Sequence, residues 1–109
     1  MGKVHSLEEV SKGRYPYLTG FTPAFEYRNN QKTDIQIGIR YFIVLPGDCY
    51  RAVSVLVSDM EPICSKEQLT AALATSDVPV TFDGFEGRWY KHGGNWNLTC
   101  TATAIRPTA

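Results

Sequence analysis

Val78-Pro-Val-Thr-Phe-Asp83-Gly-Phe-Glu-Gly-Arg88-Trp-Tyr-Lys-His92-Gly-Gly-Asn-Trp96-Asn-Leu-Thr-Cys100-Thr-Ala-Thr-Ala-Ile105 reads as one long β-hairpin. Both arms are rich in β-branched and aromatic residues, and the turn between them, His92 to Asn95, supplies paired glycines able to take positive φ. In the second arm Leu98, Cys100, Ala102 and Ala104 alternate with Asn97, Thr99, Thr101 and Thr103, so one face serves a core and the other solvent. Gly84 and Gly87 interrupt the first arm and predict bulges or bends. Around the tip stand Arg88, Trp89, Tyr90, Lys91 and Trp96, cations interleaved with planar rings, the composition of a surface on which unpaired bases stack. The same alternation can instead send Trp89 or Trp96 inward as half of a cross-strand aromatic pair.

Outward from the hairpin, Ser65-Lys66-Glu67-Gln68 opens a short helix, with the serine as cap and glutamine three residues on. Leu69 and Leu73 give that helix a narrow apolar face, and it is expected to end near Ser76-Asp77. Before it, Tyr50 to Ser58 is a strand with Arg51, Val53, Val55 and Val57 on one face and Tyr50, Ala52, Ser54 and Leu56 on the other. Thr33 to Leu45 is the clearest strand: Ile35, Ile37, Ile39, Tyr41, Ile43 and Leu45 form a core face, and Gln36, Arg40 and Phe42 point away from it. Tyr15 to Arg28 alternates as well, and Gly20 and Pro23 predict a bulged or bent strand near an edge. Arg28 to Thr33 is read as a polar turn or loop.

Residues 1–14 form an arm or short cap, in which Ser6 and Glu9 match a capping box; residues 15–105 form a single domain and 106–109 a tail. A chain of 109 residues is long enough to bury a core without staples. Cys49, Cys64 and Cys100 cannot all pair and are expected as reduced, mostly buried thiols; with only His5 and His92 beside them, no metal site and no cofactor is expected. No cationic leader or membrane-length apolar run is present, so a cytoplasmic protein with no membrane partner is the expectation. Eleven basic and eleven acidic residues argue against coating nucleic acid by charge alone.

The element order, strand, strand, strand, helix, strand, strand, resembles the OB-fold, a five-stranded Greek-key barrel. With the aromatic, basic hairpin, the chain is similar in architecture to the small single-stranded-DNA-binding OB proteins of bacteriophages, plasmids and conjugative elements. That resemblance implies a closed barrel. It also implies a binding surface across the second and third strands, framed by the loops Arg28 to Thr33 and Lys91 to Asn95. The candidate nucleic-acid-binding residues are Arg28, Lys32, Arg40, Phe42, Tyr50, Arg51, Arg88, Trp89, Tyr90, Lys91 and Trp96. The expected function is binding of single-stranded nucleic acid, DNA foremost, by stacking and phosphate contact with little sequence preference. The alternative is a structural or protein-interaction domain that uses the same aromatics in a homo-oligomer or partner interface. An enzyme is not expected: Asp83 and Glu86, three apart on a strand, fall on opposite faces, and no nucleophile elbow or phosphate-binding loop is present.

Overall fold

The computed structural model describes residues 4–59 and 61–108, without the side chains of His92, Asn95 and Trp96. In chain order its elements are β1 (Val4–His5), α1 (Leu7–Ser11), β2 (Tyr17–Arg28), β3 (Gln31–Leu45), a 3-10 turn (Pro46–Asp48), β4 (Arg51–Val57), α2 (Lys66–Leu73), β5 (Val80–Asp83), β6 (Glu86–His92), β7 (Asn95–Ala102) and β8 (Ala104–Pro107).

The long hairpin forms, but with a corner in it. β6 pairs with β7 in one sheet and β5 with β8 in another, so the two arms stay together while their direction changes between them. Gly84 makes the corner on one arm with φ of +62°, a left-handed conformation that glycine adopts without steric cost. On the other arm Thr103 donates from both its amide (2.9 Å) and its hydroxyl (3.0 Å) to the Asp83 carbonyl. The corner shifts the alternation by one residue: Ile105, not Ala104, is the buried member of β8, facing Phe82 of β5.

β6 and β7 belong to a mixed six-stranded sheet of order β1-β6-β7-β4-β3-β2, in which β4 and β7 run parallel and the remaining pairs antiparallel. β2 lies at one edge, where Pro23 needs no partner for its missing N–H, and register shifts at Leu18/Gly20 and further along bend it as its glycine and proline imply. A closed barrel is not found: β5 and β8 form their own two-stranded sheet instead of completing a ring. The fold is mainly β with two helices.

Alternation decides which face is dry. Ile39, Tyr41, Ile43 and Leu45 of β3, Val55 and Val57 of β4, and Cys100 and Ala102 of β7 are all buried on one side. That side is closed by Val10 of α1, Leu69 of α2, and Val80, Phe82 and Ile105 of the small sheet. Tyr41 is buried to the hydroxyl, which accepts a hydrogen bond from the Ile63 amide at 3.1 Å, and its ring meets Phe21 at 5.8 Å. Both helices carry the capping boxes their sequences predict, at Ser6/Glu9 and Ser65/Gln68. α2 ends at Leu73, three residues before the expected stop, and Leu73 itself is exposed.

Three further expectations are corrected. The isoleucine row of β3 is not core throughout: β4 pairs only with Ile39 to Leu45, so Ile35 and Ile37 stand beyond the body of the sheet, 48% and 40% exposed. The turn expected over Arg28 to Thr33 is confined to two residues, Asn29-Asn30, both at positive φ, with Gln31 to Thr33 already in the strand. Cys49 is exposed and Cys64 half-buried; Cys100 alone of the three is buried.

Burial pushes the Cys100 thiol up to about 12. Its folded-state pKa thus lies above the unfolded value of about 8.5. The associated stability is complete below the unfolded pKa and lost as the pH rises toward the folded one. Tyr41, also raised, chiefly by burial, acts in the same sense at higher pH. Urea denaturation between pH 8 and pH 11 is expected to lose up to about 1.4 kcal/mol per pH unit from Cys100, and Cys100→Ala should flatten that slope. At Gly38, any Cβ would collide with the Val57 carbonyl oxygen. Gly38→Ala is therefore expected to cost about 1–3 kcal/mol, read as a lowered denaturation midpoint at unchanged m-value.

Candidate nucleic-acid interface

Strand register places the side chains that face away from the core. Phe42 of β3 lies opposite Ser54 of β4, and Arg40 lies opposite Leu56, which continues to Thr101 of β7. On β6, Arg88 lies opposite Thr99 and Tyr90 opposite Asn97. None of these residues is buried, and both rings are well exposed, Phe42 at 41% and Tyr90 at 48%. At about 4.8 Å per strand, β3 and β6 are roughly 14 Å apart across this face.

Phe42 is held by its neighbours on β2. The Thr19 hydroxyl donates to the Phe42 carbonyl at 3.0 Å, and Gly20 sits directly beside the ring, where a Cβ would be 3.7 Å from it. A bulge at Thr19 brings both about. Arg40 and Arg88 make no ion pair among the described residues, so their guanidinium groups are available to an anion. Glu86 lies on the same face, beyond Arg88, and limits its positive charge.

The remaining sequence candidates are distributed differently. Trp89 shares its side of β6 with the core and is half-buried, opposite Leu98. The Arg51 guanidinium lies 5.2 Å from its ring centroid, and the Arg51 Nε donates to Asp48 at 2.8 Å. This pair braces the start of β4 against β6 on the side away from Phe42. Gly93 and Gly94 form the expected tight turn at φ of +60° and +85°, with Lys91 exposed beside it. Tyr50, 62% exposed, stands with Cys49 in a left-handed turn at the same end of the sheet. The Trp96 side chain is outside the described residues; its backbone pairs with Lys91.

Arg28 and Lys32 lie at the other end. Arg28 pairs with Glu26 at 3.4 Å, and the Lys32 ammonium sits 4.4 Å from the Phe25 ring centroid. The two turns expected to frame one surface are therefore at opposite ends of the sheet. β4 and β7 run parallel, so the Gly93-Gly94 turn lies where β4 begins, whereas the Asn29-Asn30 turn lies past the point where β4 stops.

One feature had no signal in the sequence. A cleft beside α1 is lined by Leu7, Arg14, Tyr15, Phe82 and Phe85, and a second, adjoining one by Tyr17, Arg106 and Thr108. These residues are distant along the chain, and the fold alone assembles them. Arg106 is bound to Asp83 at 2.7 Å, and Asp83 and Glu86 are separated by the Gly84 corner. Among the described residues no cluster of three potential metal ligands occurs, and no helix is long and apolar enough to cross a membrane.

Set against protein-family models, curated proteins and solved structures, the chain matches none.

The contact of Arg51 with Trp89 is testable by a double-mutant cycle in urea. Trp89→Ala is expected to cost about 2 kcal/mol, since its ring is only partly buried. Coupling to Arg51→Ala is expected at about 0.5–1 kcal/mol; coupling indistinguishable from zero would mean that the two side chains do not support one another.

Proposed function

We propose that the chain binds single-stranded nucleic acid, DNA foremost, on the outward face of β3, β4, β7 and β6. Phe42 and Tyr90 are the stacking rings, and Arg40 and Arg88 the phosphate contacts. The observation that carries this reading is the co-location, on one face of the sheet, of two exposed rings and two arginines that make no ion pair among the described residues. Ring faces accept any base, and arginine contacts with the backbone are blind to sequence, so little sequence preference follows. Tyr50 and Lys91 lie at one rim of this footprint; Arg28, Lys32, Arg51 and Trp89 are outside it.

The finer fold reading, a partly open OB-like barrel, draws support from one contact. The Leu18 amide donates to the Val78 carbonyl at 2.8 Å and the Val80 amide to the Pro16 carbonyl at 2.9 Å, tying the start of β2 to the start of β5. Such a tie draws the two sheets toward a ring, and a partly open barrel is within the range of that fold.

Two arginines and a neutral chain limit the electrostatic share of the affinity. With two phosphates neutralised, log Kd should change with log salt at a slope of only about 1.4 in magnitude. Anisotropy titration of a labelled oligothymidine at low salt should detect binding in the micromolar range. Phe42→Ala and Tyr90→Ala should each weaken it by about 1–3 kcal/mol, and Arg40→Ala should reduce the salt slope by about 0.7. No binding at tens of micromolar protein, or binding insensitive to salt, would remove the basis of the proposal.

A further inference from the structure

Before the tie between β2 and β5 the two segments are apart. The Val80 amide donates to Pro16, but Lys12 and Gly13, both left-handed at φ of 59° and 77°, turn the preceding chain away toward α1, so that Arg14 and Tyr15 diverge from β5. The gap opens as two clefts of about 630 and 750 Å³, each the size of a small-ligand site, which share Arg14, Tyr15 and Thr81. Val80, Phe82 and Ile105 of the small sheet pack on the core from the side opposite Phe42, so the clefts and the face proposed for nucleic acid are separated by the core.

Their linings differ in a way that selects the ligand. In the first, Leu7, Phe82 and Phe85 make an apolar wall, with the two phenylalanine rings 5.9 Å apart. The Val78 carbonyl and the Val80 amide bond toward β2. By the two-residue period of a strand, the Phe82 amide and carbonyl point to that same side, where β2 is no longer present, and they set a donor and an acceptor beside the wall. Every polar side chain of the second cleft can donate: Arg14, Tyr15, Tyr17, Thr81, Arg106 and Thr108. Among the described residues no carboxylate lines it, and Arg14 makes no ion pair. Arg106 donates to Asp83 through Nη2 and keeps the rest of its fork. Glu8 lines the first cleft only, which directs an anion to the second.

An inorganic anion would leave the apolar wall uncovered, and an aliphatic tail would leave the Phe82 donor and acceptor unpaired. A planar ring with a polar edge, joined to an oxyanion, satisfies both clefts at once. We propose that they bind a nucleotide. Its base lies against Leu7 and Phe85 with an edge on the Phe82 backbone, of the acceptor and donor kind that adenine presents at N7 and N6. Its phosphate meets Arg14 and Arg106, and Tyr15, 59% exposed at the junction, is placed to stack.

The test is titration of the full chain with adenosine monophosphate, adenosine, inorganic phosphate and O-phosphotyrosine, followed by amide proton–nitrogen correlation spectra. Adenosine monophosphate should bind saturably with a Kd below about 1 mM, shifting the amides of Arg14, Thr81, Phe82 and Arg106. Adenosine and phosphate, each filling one cleft, should bind about tenfold more weakly or worse. Arg14→Gln should weaken the nucleotide about tenfold and leave adenosine unchanged. Tyr15→Ala should weaken both, and Phe42→Ala neither. Arg14 and Tyr15 are exposed, so the remainder of each spectrum should keep its wild-type positions. Absence of saturable shifts at about 5 mM nucleotide overturns the proposal. So does phosphate or adenosine binding as tightly as the nucleotide, O-phosphotyrosine binding more tightly, or nucleotide binding lost on Phe42→Ala and kept in Arg14→Gln. Should Arg14→Gln disturb the fold, Tyr15→Ala decides.

Discussion

The corner at Gly84 and Thr103 is the constraint on which the rest of the molecule depends. Two hydrogen bonds from Thr103 to one carbonyl, and a left-handed glycine facing them, turn the base of a long hairpin away from the sheet that its tip belongs to. The base then delivers Val80, Phe82 and Ile105 to the core as a small second sheet. A straight hairpin would extend the six-stranded sheet and leave Ile43, Val55 and Cys100 without that cover. Burial of those side chains is the main favourable contribution to stability, at about 25 cal/mol per Å² of apolar surface. The corner therefore works by redirecting apolar area, and the hydrogen bonds at it contribute only modestly in their own right.

One covered face implies one face left to solvent, and the chemistry of the two differs accordingly. The core on the covered side is apolar apart from the Tyr41 hydroxyl, which finds a backbone donor, and no buried side-chain polar atom among the described residues lacks a partner. The outward side mixes threonine, serine, arginine and two rings, with Phe42 placed by a bulge and a glycine on the adjoining strand. Strand alternation makes the separation strict. It splits the run Arg88-Trp89-Tyr90-Lys91 into two functions: Arg88 and Tyr90 are turned outward, while Trp89 joins Arg51 in bracing the strands from the other side. A ribbon that outruns its neighbouring strand has no such division, and its apolar residues are exposed whichever way they point.

Much of this was legible in the residues. The hairpin and its diglycine turn, the bent edge strand, both capping boxes and the core rows of β3, β4 and β7 follow from period-two alternation and local turn chemistry, which act over a few residues. Arg40 and Phe42 were recognisable as outward residues for the same reason, whereas the directions of Arg88 and Tyr90 come from the register of β6 against β7. Less legible was how far each strand is paired. Ile35 and Ile37 continue the pattern of Ile39 and Ile43 without a break, and nothing nearby records that β4 ends before reaching them. Ala104 appeared to continue the row of Cys100 and Ala102 because a one-residue shift at a corner leaves no mark in composition.

The sequence by itself determined which residues form strands, where the turns fall and which side of each strand is apolar, because those properties come from neighbouring side chains and backbone preferences. Only the tertiary structure decided that the strands form an open mixed sheet with a separate small sheet, that the two hairpin turns lie at opposite ends of it, and that rings distant in the chain share one face. Those outcomes depend on strand order and on the point at which each ladder stops. Both are set by long-range competition for apolar cover, to which no local stretch of chain is sensitive.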